Sequence, residues 1–96
     1  MYIINRAEFN ELRELRLRHL RYGIGSIENK ERYLDLIHRA GEYIKTLTGD
    51  ERKVIEFIYI QGRSEVWTSM YLYFSDRHVR RIRKKALDKL DMLNGL

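Results

Sequence analysis

No proline occurs anywhere in the 96 residues, and that absence constrains the fold more than any motif does. At an average usage of about 5 % a chain of this length would carry about five. Without them no position is obliged to stop a helix and no turn rests on a cis peptide. Helix is permitted throughout, with its boundaries left to capping residues and glycines. The length leaves room for one domain, or for a small domain with an added helical arm, and not for a second core. Cysteine is absent too, which excludes disulfides, thiolate zinc sites and cysteine nucleophiles together. Fully apolar runs reach four residues, as in Phe57-Ile58-Tyr59-Ile60, against the roughly 20 needed to cross a bilayer. No signal-peptide pattern opens the chain, so the expectation is a cytoplasmic protein with no membrane partner.

The boundaries are written locally. Asn5 and Glu8 read as an N-cap with its capping-box partner, and Phe9, Leu12, Leu15 and Leu20 recur behind them in a helix to about Arg21. Two glycines, Gly23 and Gly25, break it. Ser26 or Asn29 caps a second helix ending near Thr46, with Leu34, Ile37, Ile44 and Leu47 on one side and Glu31, Asp35, Arg39 and Glu42 mostly opposite. Thr48-Gly49-Asp50-Glu51 reads as another capping box, opening a segment through Gln61. Its run Val54 to Ile60 has strand propensity. The cap, the spacing of Val54, Ile55 and Ile58, and a Gly62 placed for a helix C-cap favour helix instead. Ser64 caps a short helix over Glu65 to Leu72, and Ser75 caps one from Asp76 to about Leu93, with only Tyr73-Phe74 between them. Two helices across so short a turn make a helix-turn-helix. The expected architecture is all-α: a two-helix antiparallel arm over 1–46, for packing or dimerisation, followed by a three-helix unit over 47–96.

The charge is unevenly placed. The net +5 lies wholly between Ser75 and Leu90, which hold seven cations and two anions, while the other eighty residues hold twelve of each. An anionic partner should therefore meet that segment. At about 100° per residue, Val79, Ile82, Ala86, Leu90 and Leu93 form the buried stripe of the last helix. Arg77, Arg81, Lys84 and Asp88 lie roughly opposite, flanked by His78, Arg80 and Lys85. Recognition helices read bases from their first turns, where Arg77 and Arg81 sit, and arginine pairs bidentately with guanine. Arg63 and Ser64 at the start of the preceding helix, with His78, Arg80, Lys84 and Lys85, suit the phosphate backbone. The backbone amides at the Ser75 cap supply a further anion-binding element.

From Ile44 to Leu93 the chain resembles domain 4 of bacterial sigma factors and their phage relatives. The residues that carry the likeness are Leu47, Glu51-Arg52-Lys53-Val54-Ile55, Gly62, Ser75, and Val79-Arg80-Arg81-Ile82-Arg83-Lys84-Lys85-Ala86-Leu87-Asp88-Lys89-Leu90. With a two-helix arm in front, the whole looks most like small phage-encoded regulators of the RinA and ArpU type. The resemblance implies a transcriptional role and the partners double-stranded DNA and RNA polymerase. Two positions depart from the family pattern. Tyr73 stands where the turn usually has Gly, which predicts a wider turn. Thr68-Ser69 replaces an apolar-Ala pair, so the packing of that helix is expected to rest on Val66 or Trp67 and Leu72.

Other chemistries find little support. His19, His38 and His78 fall on three different helices with no metal-ligand spacing. Ser75, Asp76 and His78 share one helical turn and cannot form a triad. Gly23-Ile24-Gly25 lacks the third glycine and the preceding strand of a phosphate loop. Neither an enzyme nor a cofactor is expected. The expectation is a sequence-specific DNA-binding regulator of a bacterial host or its phage, dimeric through the arm or tethered to polymerase. The alternative is an adaptor that docks on polymerase without reading DNA.

Overall fold

The computed structural model describes residues 3–95. Helix α1 runs from Arg6 to Tyr22, α2 from Lys30 to Ile44, α3 from Gly49 to Ile55, α4 from Glu65 to Leu72 and α5 from Asp76 to Leu93. No strand occurs among the described residues. A single 3-10 turn, Ile24–Ser26, follows Gly23, whose φ of +88° ends α1. The molecule measures 35 × 32 × 18 Å, and the thin dimension fits two layers of helices at the usual spacing of about 8–10 Å.

Local caps account for most of the starts. Asn5 accepts from the Glu8 amide at 2.8 Å while the Glu8 carboxylate accepts from the Asn5 amide at 3.2 Å, completing the expected box. Asn29, not Ser26, caps α2, through the Arg32 amide at 3.0 Å. Ser64 and Ser75 accept from the Trp67 and His78 amides at 2.9 and 3.1 Å. Thr48 departs from expectation: it flanks α3 but makes no side-chain cap. Its intended partner, Glu51, is drawn instead to Lys89 of α5 at 2.8 Å. A charge-assisted pair reaching another helix is the stronger of the two interactions.

The segment beyond α3 is helical but not α-helical to its end. Glu56–Ile60 winds as a π-helix, with the Gln61 amide reaching back to the Glu56 carbonyl at 3.0 Å. Gly62, at φ +71°, then turns the chain so that the Arg63 amide meets the Phe57 carbonyl at 2.8 Å. The wider winding leaves the Ile60 carbonyl to a side chain, and Arg16 of α1 donates to it through Nε at 2.7 Å.

One continuous core joins both halves of the chain. Phe9 of α1 packs edge-on against Tyr59 of the π segment and Tyr43 of α2, with ring centroids 5.1 and 6.0 Å away. Tyr43, 4 % exposed, donates through its hydroxyl to the Ala86 carbonyl of α5 at 2.7 Å. Helix α2 is rotated from its expected face. Tyr33, Leu36, Ala40, Tyr43 and Ile44 point inward, whereas Leu34 is 61 % exposed. Arg39, expected on the solvent side, is largely buried and grips Glu8 with two hydrogen bonds of 2.9 and 2.8 Å. Those bonds hold its pKa above the ordinary arginine value despite burial. The tyrosine rings and the arginine stem bury more apolar surface than Leu34 would, so the helix turns toward them. Leu20 and Leu93, both expected inside, are more than half exposed.

Candidate nucleic-acid interface

The turn between α4 and α5 is tighter than the sequence suggested. Tyr73 accepts the left-handed conformation, φ 59° and ψ 36°, that glycine would normally occupy. The Phe74 amide then reaches the Ser69 carbonyl at 2.9 Å. This six-to-one closure satisfies a carbonyl that the helix end would otherwise leave open. With Tyr73 almost wholly solvent-exposed, its side chain meets no obstacle in that conformation.

The inner face of α4 bears out one part of the second expectation, with Leu72 packed against the core, and corrects another. Thr68 and Ser69, not Val66, are buried, and Val66 is more than half exposed. Their hydroxyls cause no burial problem because each has a partner: Thr68 donates to the Ser64 carbonyl at 2.8 Å, and Ser69 to the Val66 carbonyl at 2.7 Å. Asp76 Oδ1, also 2.7 Å away, is an alternative acceptor for the one Ser69 proton, which can thereby tie α4 to the first turn of α5. Small polar side chains let the two helices approach closely while fixing their relative position.

Helix α5 presents its cations unequally. Val79, Ile82, Ala86, Leu87 and Leu90 anchor it to the core. Arg83, one of the seven cations, turns inward: its Nε donates to the Tyr59 hydroxyl at 2.8 Å and its Nη1 lies 3.2 Å from Glu65. Burial is the largest single influence and works against that charge, but the hydrogen bonds and attraction of Tyr59 and Glu65 together outweigh it and its pKa is raised. Lys89 is paired with Glu51, Lys85 lies 3.8 Å from the same carboxylate, and Lys84 pairs with Asp88 at 2.8 Å. The Lys84 hydrogen bond, with Arg6 behind it, holds the Asp88 carboxyl below its ordinary value. That leaves Arg77, Arg80 and Arg81 exposed and without a carboxylate partner among the described residues. Within α5 the cations left without a carboxylate partner thus lie in its first two turns, directly after the helix-turn-helix corner.

The other residues singled out from the sequence have more varied surroundings. His78 is half-buried, edge-on to Phe74 at 4.7 Å. Ser64 and Ser75 spend their hydroxyls as caps. Arg63 lies over the Trp67 ring at 4.3 Å, a cation–π contact. Trp67 in turn stacks on Tyr71 at 5.0 Å, with Phe57 edge-on to both. The outer face of α4 is consequently aromatic and apolar, with Val66, Met70 and Tyr71 all more than half exposed.

Sequence reasoning also missed a contribution from the far end of the chain. Arg6, the first residue of α1, donates to Asp88 and Asp91 of α5 at 2.9 and 3.1 Å. The Asp91 hydrogen bond is the main reason its pKa is raised. Between α1, the start of α4 and α5 lies an open cleft of about 330 Å³, lined by Arg6, Asn10, Glu65, Arg80, Arg83 and Lys84 among others. No local pattern announces it, since its walls come from opposite ends of the chain.

Comparison with protein-family models, with curated proteins and with solved structures returns no match.

Proposed function

We propose that the protein is a sequence-specific double-stranded DNA-binding transcriptional regulator, encoded by a phage or prophage and acting in the cytoplasm of a bacterial host. The observation that carries this reading is that the α5 arginines without a carboxylate partner, Arg77, Arg80 and Arg81, all lie in its first two turns, immediately beyond the short α4–α5 turn. Recognition helices place base-reading side chains in those turns. Arg77 and Arg81 are the base readers. Arg80, Lys84 and Lys85 flank them toward the phosphates, with Arg63, Ser64, His78 and the Ser75 amides beside the strand that the scaffold helix crosses. The likeness of residues 44–93 to domain 4 of sigma factors supports the same role. One module of this size forms a small interface, so a second copy joined through residues 1–46, or tethering to RNA polymerase, supplies the remaining affinity.

Selection of bound fragments from genomic DNA, read by sequencing, tests the reading, with an enriched motif as the expected outcome. On that motif Arg81→Ala should lose about 1–3 kcal/mol and relax one base preference. An equal loss on random duplex would demote Arg81 to a phosphate contact. The exposed apolar face of α4 favours a second reading, an adaptor that docks on RNA polymerase without reading DNA. It predicts no enriched motif, and polymerase capture that survives loss of Arg77 and Arg81.

A further inference from the structure

We propose that the cleft between α1 and α5 seats a backbone phosphate of duplex DNA, which makes the N-terminal helix part of the interface. The inference rests on α5 being the helix that enters the groove, and adds a site from a different part of the chain. A helix lying in the major groove turns its flanks toward the two strands. The flank of α5 that carries Arg80 and Lys84 opens into this cleft, and the opposite wall is α1, with Arg6 and Asn10. Four cations line it against one carboxylate, Glu65, which Arg83 covers at 3.2 Å.

The donors fit the task. Arg6 is immobilised by Asp88 and Asp91 through Nε and Nη2, so its Nη1 keeps donor capacity in a side chain that loses little freedom on binding. Arg80 has no carboxylate partner among the described residues. Lys84 is shown bonded to Asp88 alone, which leaves it donors to spare. Asn10 is exposed on the wall and offers a neutral amide. A tetrahedral anion matches such convergent N–H donors, and in a protein held on duplex DNA the anion at this position is a phosphodiester.

Asn10 is the residue to vary, because it is exposed and makes none of the contacts that hold the fold. Duplex affinity should be measured across a salt series for the full chain and for Asn10→Glu and Asn10→Lys. A control, Leu34→Glu, places the same charge on the exposed side of α2, which does not line the cleft. Asn10→Glu should bind about tenfold more weakly, with the slope of log K against log salt shallower by about 0.9, and Asn10→Lys more tightly with a steeper slope. Leu34→Glu should keep the parent slope. If both Asn10 variants match the parent while Arg81→Ala loses its base preference, the cleft proposal falls and the DNA-binding reading stands. Equal effects of Asn10→Glu and Leu34→Glu also overturn it, since net charge then suffices. A parent protein that ignores duplex DNA overturns both.

Discussion

Tyr73 holds a left-handed backbone conformation that costs an L-residue about 1–2 kcal/mol, and its exposed side chain recovers nothing from packing. Replacing it with glycine removes the strain at the cost of a more flexible unfolded chain. Tyr73→Gly should therefore stabilise the protein by roughly 0.5–1 kcal/mol, read as a higher denaturant midpoint with an unchanged m-value. Tyr43 makes the opposite case, a tyrosine whose burial matters. Burial pushes its phenol up to about 12 from an ordinary value of 10.0, because the charged form cannot remain beside the core. A raised pKa gives stability that is complete below the unfolded value and is lost as pH climbs toward the folded one. Unfolding free energy should accordingly fall between about pH 10 and 12. Tyr43→Phe should be less stable at neutral pH, having lost the bond to the Ala86 carbonyl, yet flatter across that alkaline window. Denaturant titrations of both proteins at stepped pH check the difference.

At the scale of elements, the π-helical end of the α3 segment depends on its neighbour. Its wider winding displaces carbonyls from the α-helical ladder, and Arg16 supplies the donor for Ile60 while also meeting the Tyr33 hydroxyl at 3.2 Å. Arg16→Met keeps much of the stem and removes the donors, so it should cost about 2 kcal/mol. Hydrogen exchange should localise the loss to residues 56–63, and a uniform rise in exchange would show that the contact is not specific to that segment. The α4–α5 pair, by contrast, is held by its own chemistry. Two serine caps, the Ser69 link to Asp76 and a six-to-one closure fix the corner without help from α1 or α2.

The whole molecule should unfold as one cooperative unit, because its central contacts cross from one half of the chain to the other. Phe9 and Leu12 lie fully buried in the same cluster as Val54, Ile58 and Tyr59, and the Asn94 side chain reaches back to the Ile4 carbonyl at 3.1 Å. A fragment of residues 47–96 would expose Tyr59 where Phe9 now covers it, and would lose the Tyr43 contact to α5. It should show weak helicity by circular dichroism and no cooperative thermal transition. Cooperative melting of that fragment would mean that the α3–α5 unit folds alone. The same continuity bears on the interface: Arg6 joins α1 to the outer side of α5, so the position of the N-terminal helix is set by the helix proposed to meet DNA.

What the sequence determined by itself is the helical state and nearly every boundary. Asn5 with Glu8, Ser64 and Ser75 act within three residues, and a cap needs nothing more distant than the next helical turn. The buried stripe of α5 was legible for a related reason: over 18 residues the period of 3.6 averages out single exceptions such as Leu93. Tertiary structure decided wherever two acceptable local solutions competed. Glu51 could cap α3 or pair with Lys89, 38 residues away, and it pairs. Helix α2 could bury Leu34 or the tyrosines, and Phe9 and Glu8 of α1 selected the face carrying Tyr43 and Arg39. Most consequentially, seven cations read as one basic segment were divided by their neighbours, with Arg83 turned inward, three lysines set beside carboxylates and three arginines left exposed. Local rules see only residues within a turn or two. The partner that neutralises a charge, or completes a cleft as Arg6 does from 82 positions before Asp88, exists only once the helices have packed.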